Sequence, residues 1–176
     1  MAPRGRLSVK RSFCKALITA GNCSSAAFRV RIALNLKGLD YEQAFIHLRK
    51  GDQRSAAYLG LNPQGLVPTL IAEDGAVLTQ SLSIIEYLEE TRPHPPLLPS
   101  DSVGRARVRS LAEAIACDIH PIDNLRVLQY LSRQLAHKEP DIEHWFNHWI
   151  ELGFEGIEKT LASDGKQVVG RLLEMA

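Results

Sequence analysis

Ser24-Ser25-Ala26-Ala27-Phe28-Arg29-Val30-Arg31-Ile32-Ala33-Leu34 is followed along the chain by Asn62-Pro63-Gln64-Gly65-Leu66-Val67-Pro68-Thr69-Leu70. Gln80-Ser81-Leu82-Ser83-Ile84-Ile85-Glu86-Tyr87-Leu88 comes next. The order of these three pieces decides the fold. The first sets two hydroxyls where a helix should begin. Ser24 or Ser25 caps it, and Val30, Ala33, Leu34 and Leu36 recur at helical spacing along one apolar side. Lys37-Gly38 predicts its end, a cation in the last turn followed by the usual C-terminal glycine. The second piece places the Val67-Pro68 bond ahead of a short strand. The third opens on the polar pair Gln80-Ser81. Ser83, with Glu86 three residues on, reads as a capping box for a helix ending near Thr91.

Working outward, Lys15 to Ala20 predicts a short strand before the first helix, and Tyr41 to Leu48 alternates loosely as a second. Pro68 to Ala72 and Ala76 to Leu78, separated by Glu73-Asp74-Gly75, read as a hairpin with a glycine turn. Strand, helix, strand, hairpin and helix is the order of a thioredoxin-like domain. Residues 92–100, from Arg92 to Ser100, hold four prolines, which marks a stiff linker and a domain boundary. Beyond it every strong signal is helical. Val108, Leu111, Ala112, Ile115 and Ile119 define one stripe, and Leu125, Leu128 and Leu131 another. Pro140 opens a third helix, with Ile142, Trp145, Phe146, Trp149, Ile150, Phe154, Ile157 and Leu161 on its apolar positions. The organisation expected is a tail over residues 1–12, a thioredoxin-like domain over 13–91, the linker, and a helical domain over 101–176.

Composition narrows the function classes. Across 176 residues, 45% apolar and 23% charged content is that of an ordinary globular chain, and a net charge of +1 argues against nucleic acid as the main partner. No apolar run approaches the ~20 residues of a membrane-spanning helix. Three widely spaced cysteines (Cys14, Cys23, Cys117) make no disulfide framework and suit a reducing compartment. No acidic residue precedes Asp40, so the start of the chain reads as a basic tail. His144 and His148 stand one helical turn apart but lack a nearby third ligand, so no metal site is expected.

The three opening pieces, in that order, resemble the N-terminal half of zeta-class glutathione transferases, the maleylacetoacetate isomerase family. The resemblance runs from about Cys23 to about Gly165. It implies a thioredoxin-like domain followed by a shortened glutathione-transferase helical domain, working as a cytoplasmic homodimer. It further implies glutathione as cofactor, a small dicarboxylic substrate, and cis–trans isomerisation of maleylacetoacetate or a close analogue in aromatic amino-acid catabolism. By resemblance Ser24 is the catalytic serine, with Ser25 beside it and Arg29 for a substrate carboxylate. A hydroxyl at a helix N-terminus donates to sulfur, and a hydrogen bond to a charged group stabilises a thiolate by roughly one to two pKa units.

The same resemblance makes Val67-Pro68 a cis bond whose main-chain groups pair with the cysteinyl part of glutathione. It assigns Gln80 and Ser81 to the γ-glutamyl carboxylate at a helix N-terminus, and Gln53 to the glycyl end. His120-Pro-Ile-Asp-Asn-Leu-Arg-Val-Leu-Gln129 matches the segment that closes over glutathione from the helical side, adding Asp123 and Asn124 to the ligand set. The sequence departs from the family at Ala26, usually cysteine, at Cys23, usually arginine, and at Asp123, often glutamine. Cys23 at a helix start keeps open a thiol–disulfide oxidoreductase. A general glutathione transferase and an inactive glutathione-binding protein stand as further alternatives.

Overall fold

In the computed structural model, which describes residues 14–17 and 24–164, the chain divides into two compact units between Pro95 and Pro96. The tail expected at residues 1–12 lies outside the described residues. The first unit contains β1 (Cys14–Leu17), α1 (Ser25–Leu36), β2 (Tyr41–Gln43), α2 (Ala56–Leu61), β3 (Thr69–Ile71), β4 (Val77–Thr79) and α3 (Ser81–Thr91). The sheet order is β2-β1-β3-β4. β1 and β2 run parallel across the α1 crossover, whereas β3 is antiparallel to both β1 and β4. This is the thioredoxin-like arrangement.

The apolar spacing read from α1 places Val30, Ala33 and Leu34 wholly inside, and α1 packs on α3, whose Ile84 and Leu88 are equally buried, as is Leu70 of β3. Gly38, at φ +64, ends α1 in the left-handed conformation that glycine adopts without steric penalty. Lys37 does more than close the last turn. Its Nζ is buried 2.7 Å from Glu89 Oε2 on α3, 2.7 Å from the Arg92 carbonyl and 3.1 Å from the Pro95 carbonyl.

Two expectations are corrected. The second strand ends at Gln43 rather than near Leu48, with Tyr41, Glu42 and Gln43 paired to Cys14, Lys15 and Ala16 of β1. Past it the chain makes two single 3₁₀ turns, Leu48–Lys50 and Asp52–Arg54, around Gly51 at φ +85. Nor is Ser83 the cap of α3. The helix begins at Ser81, because Gln80 at φ 67, ψ 118 turns the chain into it two residues earlier.

The second unit is helical: α4 (Ser102–Glu113), a π-helical stretch (Ala114–Ile119), α5 (His120–Ile122), α6 (Leu125–Arg133) and α7 (Glu139–Asp164). The π stretch precedes Pro121, which has no N–H to give, and the His120 N–H reaches five residues back to the Ile115 carbonyl. Leu111, Ile119 and Ile157 form the buried centre, flanked by Ile115, Ile150, Phe154 and Leu161. Gly153 lets α7 lie directly on Ile119, since a Cβ there would overlap Ile119 Cγ1 and Cδ1. Among the described residues no helix is long and apolar enough to cross a membrane.

Candidate functional site

Ser24 is the N-cap of α1. In extended conformation (φ −113, ψ 96), its Oγ accepts the Ala27 N–H at 3.2 Å and its carbonyl accepts the Phe28 N–H at 2.9 Å. Because the Oγ is an acceptor toward the helix, its own proton remains available to a further acceptor. Ser25 is the first helical residue, and Ala26 and Ala27 are buried beneath. A half-buried hydroxyl and the positive end of the helix dipole thus converge at one end of α1. Cys23, on which the oxidoreductase alternative depends, lies outside the described residues.

The loop from Asn62 to Pro68 is held by side chains the sequence reading did not single out. Tyr58 Oη and Asn62 Nδ2 both donate to the Leu66 carbonyl, each at 2.7 Å. With its proton given to Leu66, Tyr58 Oη accepts from Thr69 Oγ1 at 3.0 Å. Asn62 Oδ1 takes the Gln64 N–H at 3.1 Å. Burial pushes the Tyr58 phenol up from its ordinary value, so it stays neutral. Gly65, at φ +61, must lack a Cβ, which would sit 3.0 Å from the Gln53 carbonyl oxygen. Val67-Pro68 is cis. Among the described residues the Val67 N–H and C=O take no backbone partner.

Gln80 joins this loop to α3. Its Nε2 donates to Gln64 Oε1 at 3.0 Å, and its carbonyl accepts the Ile84 N–H at 3.0 Å. A non-glycine residue at φ 67, ψ 118 costs on the order of 1–3 kcal/mol, and such strain concentrates at ligand clamps. Ser81, 7% exposed, opens α3 and receives Arg29 Nη1 on its Oγ at 3.3 Å. Arg29 is itself 3% exposed. Its side chain therefore lies inside the unit and toward α3, not on a surface where a substrate carboxylate would meet it directly. Gln53 spends its amide on the Leu48 carbonyl at 3.2 Å, while its Oε1 is buried without a hydrogen-bond partner among the described residues.

These contacts connect the expected residues of the first unit into one chain: α1 through Arg29 to Ser81, Gln80 to Gln64, and the loop through Gly65 to Gln53. The second unit places Asn124 as N-cap of α6, its Oδ1 accepting the Arg126 N–H at 3.2 Å and its Nδ2 lying 3.2 Å from His120 Nε2. Asp123 is buried beside it, with neither carboxylate oxygen hydrogen-bonded among the described residues, and burial raises its pKa. His144 and His148 stack at 6.4 Å between ring centroids, and no group of three candidate metal ligands occurs among the described residues. Tyr58 goes unread in the sequence, and Asn62 and Gly65 stand in the quoted stretch without a role assigned to them. The Asn62-Pro63 turn signal was the cue available for them.

A thioredoxin-like unit with a serine-capped α1, a cis-proline loop and a strained residue at the head of α3, followed by a helical unit, defines a glutathione-transferase type of protein. The donor set fits the tripeptide: open main-chain groups at Val67, a helix N-terminus for a carboxylate, and an amide oxygen at Gln53 for an amine or amide. Residues 23–91 match the family described as the glutathione S-transferase N-terminal domain. The probable maleylacetoacetate isomerase of Vibrio cholerae is 49% identical over 156 residues, covering 86% of this chain and 72% of that protein. A maleylpyruvate isomerase of Ralstonia is 50% identical over 145 residues, covering 82% and 68%. A crystal structure of maleylacetoacetate isomerase from Methylobacterium extorquens, with bound malonate and glutathione, superposes with a TM-score of 0.80 at 42% identity, covering 88% and 70%. The chain belongs to the zeta class of the glutathione S-transferase family, together with the maleylacetoacetate isomerases.

Proposed function

We infer that the chain is a glutathione-dependent cis–trans isomerase of maleylacetoacetate or a similar dicarboxylate. The observation that carries the reading is the Ser24 hydroxyl, fixed as an acceptor toward α1, with its proton available to a further acceptor. Bound glutathione would supply the thiolate that adds to the cis double bond and leaves again once that bond has rotated. Ser24 holds this sulfur in its charged form: one hydrogen bond to a charged group is worth about 1.5–3 kcal/mol, or roughly one to two pKa units. Free thiol with a pKa of about 8.5 then becomes largely thiolate near neutral pH. Ser25 adds a second hydroxyl at the same helix end.

The remaining roles are binding. Val67 offers its N–H and C=O to the cysteinyl unit as an added strand would. Pro68 shapes that edge. Gln80 and Ser81 receive the γ-glutamyl carboxylate at the start of α3, where first-turn amides lack intrahelical partners, and Gln53 takes the glycyl end. A homodimer in the cytoplasm, where thiols stay reduced, belongs to the same reading.

The test is conversion of maleylacetone by the purified chain with and without glutathione, followed by product analysis. Glutathione-dependent formation of the trans isomer, with no net consumption of thiol, supports the reading. Consumption of glutathione into a stable conjugate would instead favour a general transferase.

A further inference from the structure

Arg29 sits in the second turn of α1, which packs against α3, and its guanidinium is held at 3% exposure. An arginine cannot accept a hydrogen bond and does not lose its charge in a protein. The 3.3 Å contact with Ser81 therefore has only one direction: Nη1–H donates and Ser81 Oγ accepts. That direction has a chemical consequence. With one lone pair occupied by a cationic donor, the Ser81 hydroxyl is polarised and its proton remains available to an acceptor. Ser81 is also the first residue of α3, so its unpaired amide and the positive end of the helix dipole act at the same place.

We propose that Arg29 is the positioning cation of the carboxylate subsite at the head of α3, acting through Ser81 to select a headgroup that carries the α-carboxylate over one that lacks it. This rests on the glutathione-binding reading above and departs from the expectation that Arg29 takes a substrate carboxylate. A charge buried one hydrogen bond behind the subsite acts in a low-dielectric setting, where its field on a bound carboxylate is screened less than that of a surface lysine. It also fixes the Ser81 hydroxyl as a donor before the ligand arrives, so binding need not reorient it.

The experiment compares two probes by calorimetry. One is glutathione. The other is γ-aminobutyryl-cysteinylglycine, which keeps the thiol and the glycyl end but lacks the γ-glutamyl α-carboxylate. The parent should bind glutathione about tenfold or more tightly than the analogue, as expected for a charge-assisted contact. Arg29→Met should lose most of that preference by weakening glutathione alone, and Arg29→Lys should keep part of it. Ser81→Ala should lose the preference too, and Arg29→Met should then add little, because the two residues act in series.

An equal loss on both probes for Arg29→Met would make Arg29 a purely structural residue and overturn the proposal. If Arg29→Met fails to fold, Ser81→Ala decides alone: an undiminished preference for glutathione overturns it. A parent that binds both probes equally, or neither, refutes the carboxylate subsite itself and removes the Arg29 role with it.

Discussion

Ser24 and Asp123 are the two residues whose environments make opposite demands. Ser24 is an N-cap whose loss should cost about 1 kcal/mol of stability and leave the fold standing. Ser24→Ala should nonetheless raise the pKa of enzyme-bound glutathione by roughly one to two units, read as thiolate absorbance against pH. Asp123 is buried with no hydrogen-bonded carboxylate oxygen among the described residues, and its raised pKa means the folded state holds the proton more tightly than the unfolded chain. Its contribution is therefore favourable below the unfolded carboxylate pKa of about 3.9 and is lost as pH rises through the folded value. At pH 7, well above the unfolded value, burial of this carboxyl opposes folding. Asp123→Asn should melt higher than the parent at pH 7, with the gap closing as pH approaches about 4. Equal melting of the two at pH 7 would contradict this.

At the scale of elements, two contacts are tested by substitution. Lys37 ties α1 to Glu89 of α3 and to the carbonyls of Arg92 and Pro95. Lys37→Met leaves the Glu89 carboxylate buried without its ammonium partner and should cost about 3–5 kcal/mol in denaturant unfolding. Changing both, to Met and Leu, should restore much of the loss. In α7, Gly153→Ala forces a methyl into Ile119 and should cost about 1–3 kcal/mol. Gly156→Ala on the same helix meets nothing within 4 Å and should gain about 0.5–1 kcal/mol.

These elements also mark what the sequence made legible. The apolar spacing of α1 and the glycine turn at Gly75 carry local information, so their positions came through. Tyr41 to Leu48 did not, because a loose alternation does not mark where the strand stops and the chain turns into the 3₁₀ segments around Gly51. The start of α3 was misplaced for a similar reason. Ser83 and Glu86 satisfy a local capping rule, but Gln80 is held at positive φ by a loop elsewhere in the sequence, through Gln64. Of the site, the hydroxyl-bearing helix start at Ser24 could be read directly. The burial of Arg29 against Ser81, and the Tyr58–Asn62 support of Leu66, depend on tertiary contacts that no spacing encodes.

Taken whole, the chain joins a thioredoxin-like unit to a helical unit that exposes several large apolar side chains, including Tyr130, Leu135, Phe146 and Leu152. Such exposure favours association. Light scattering at micromolar concentration should find a dimer or larger species, and a clean monomer would count against the proposed homodimer. The most direct test of the central claim is the maleylacetone isomerisation rate at pH 7 for the parent and for Ser24→Ala, each at saturating glutathione. The account expects a parent rate that vanishes without glutathione, and an Ser24→Ala rate about ten- to hundredfold lower that recovers in part as pH rises. Full activity of Ser24→Ala at pH 7 would contradict it.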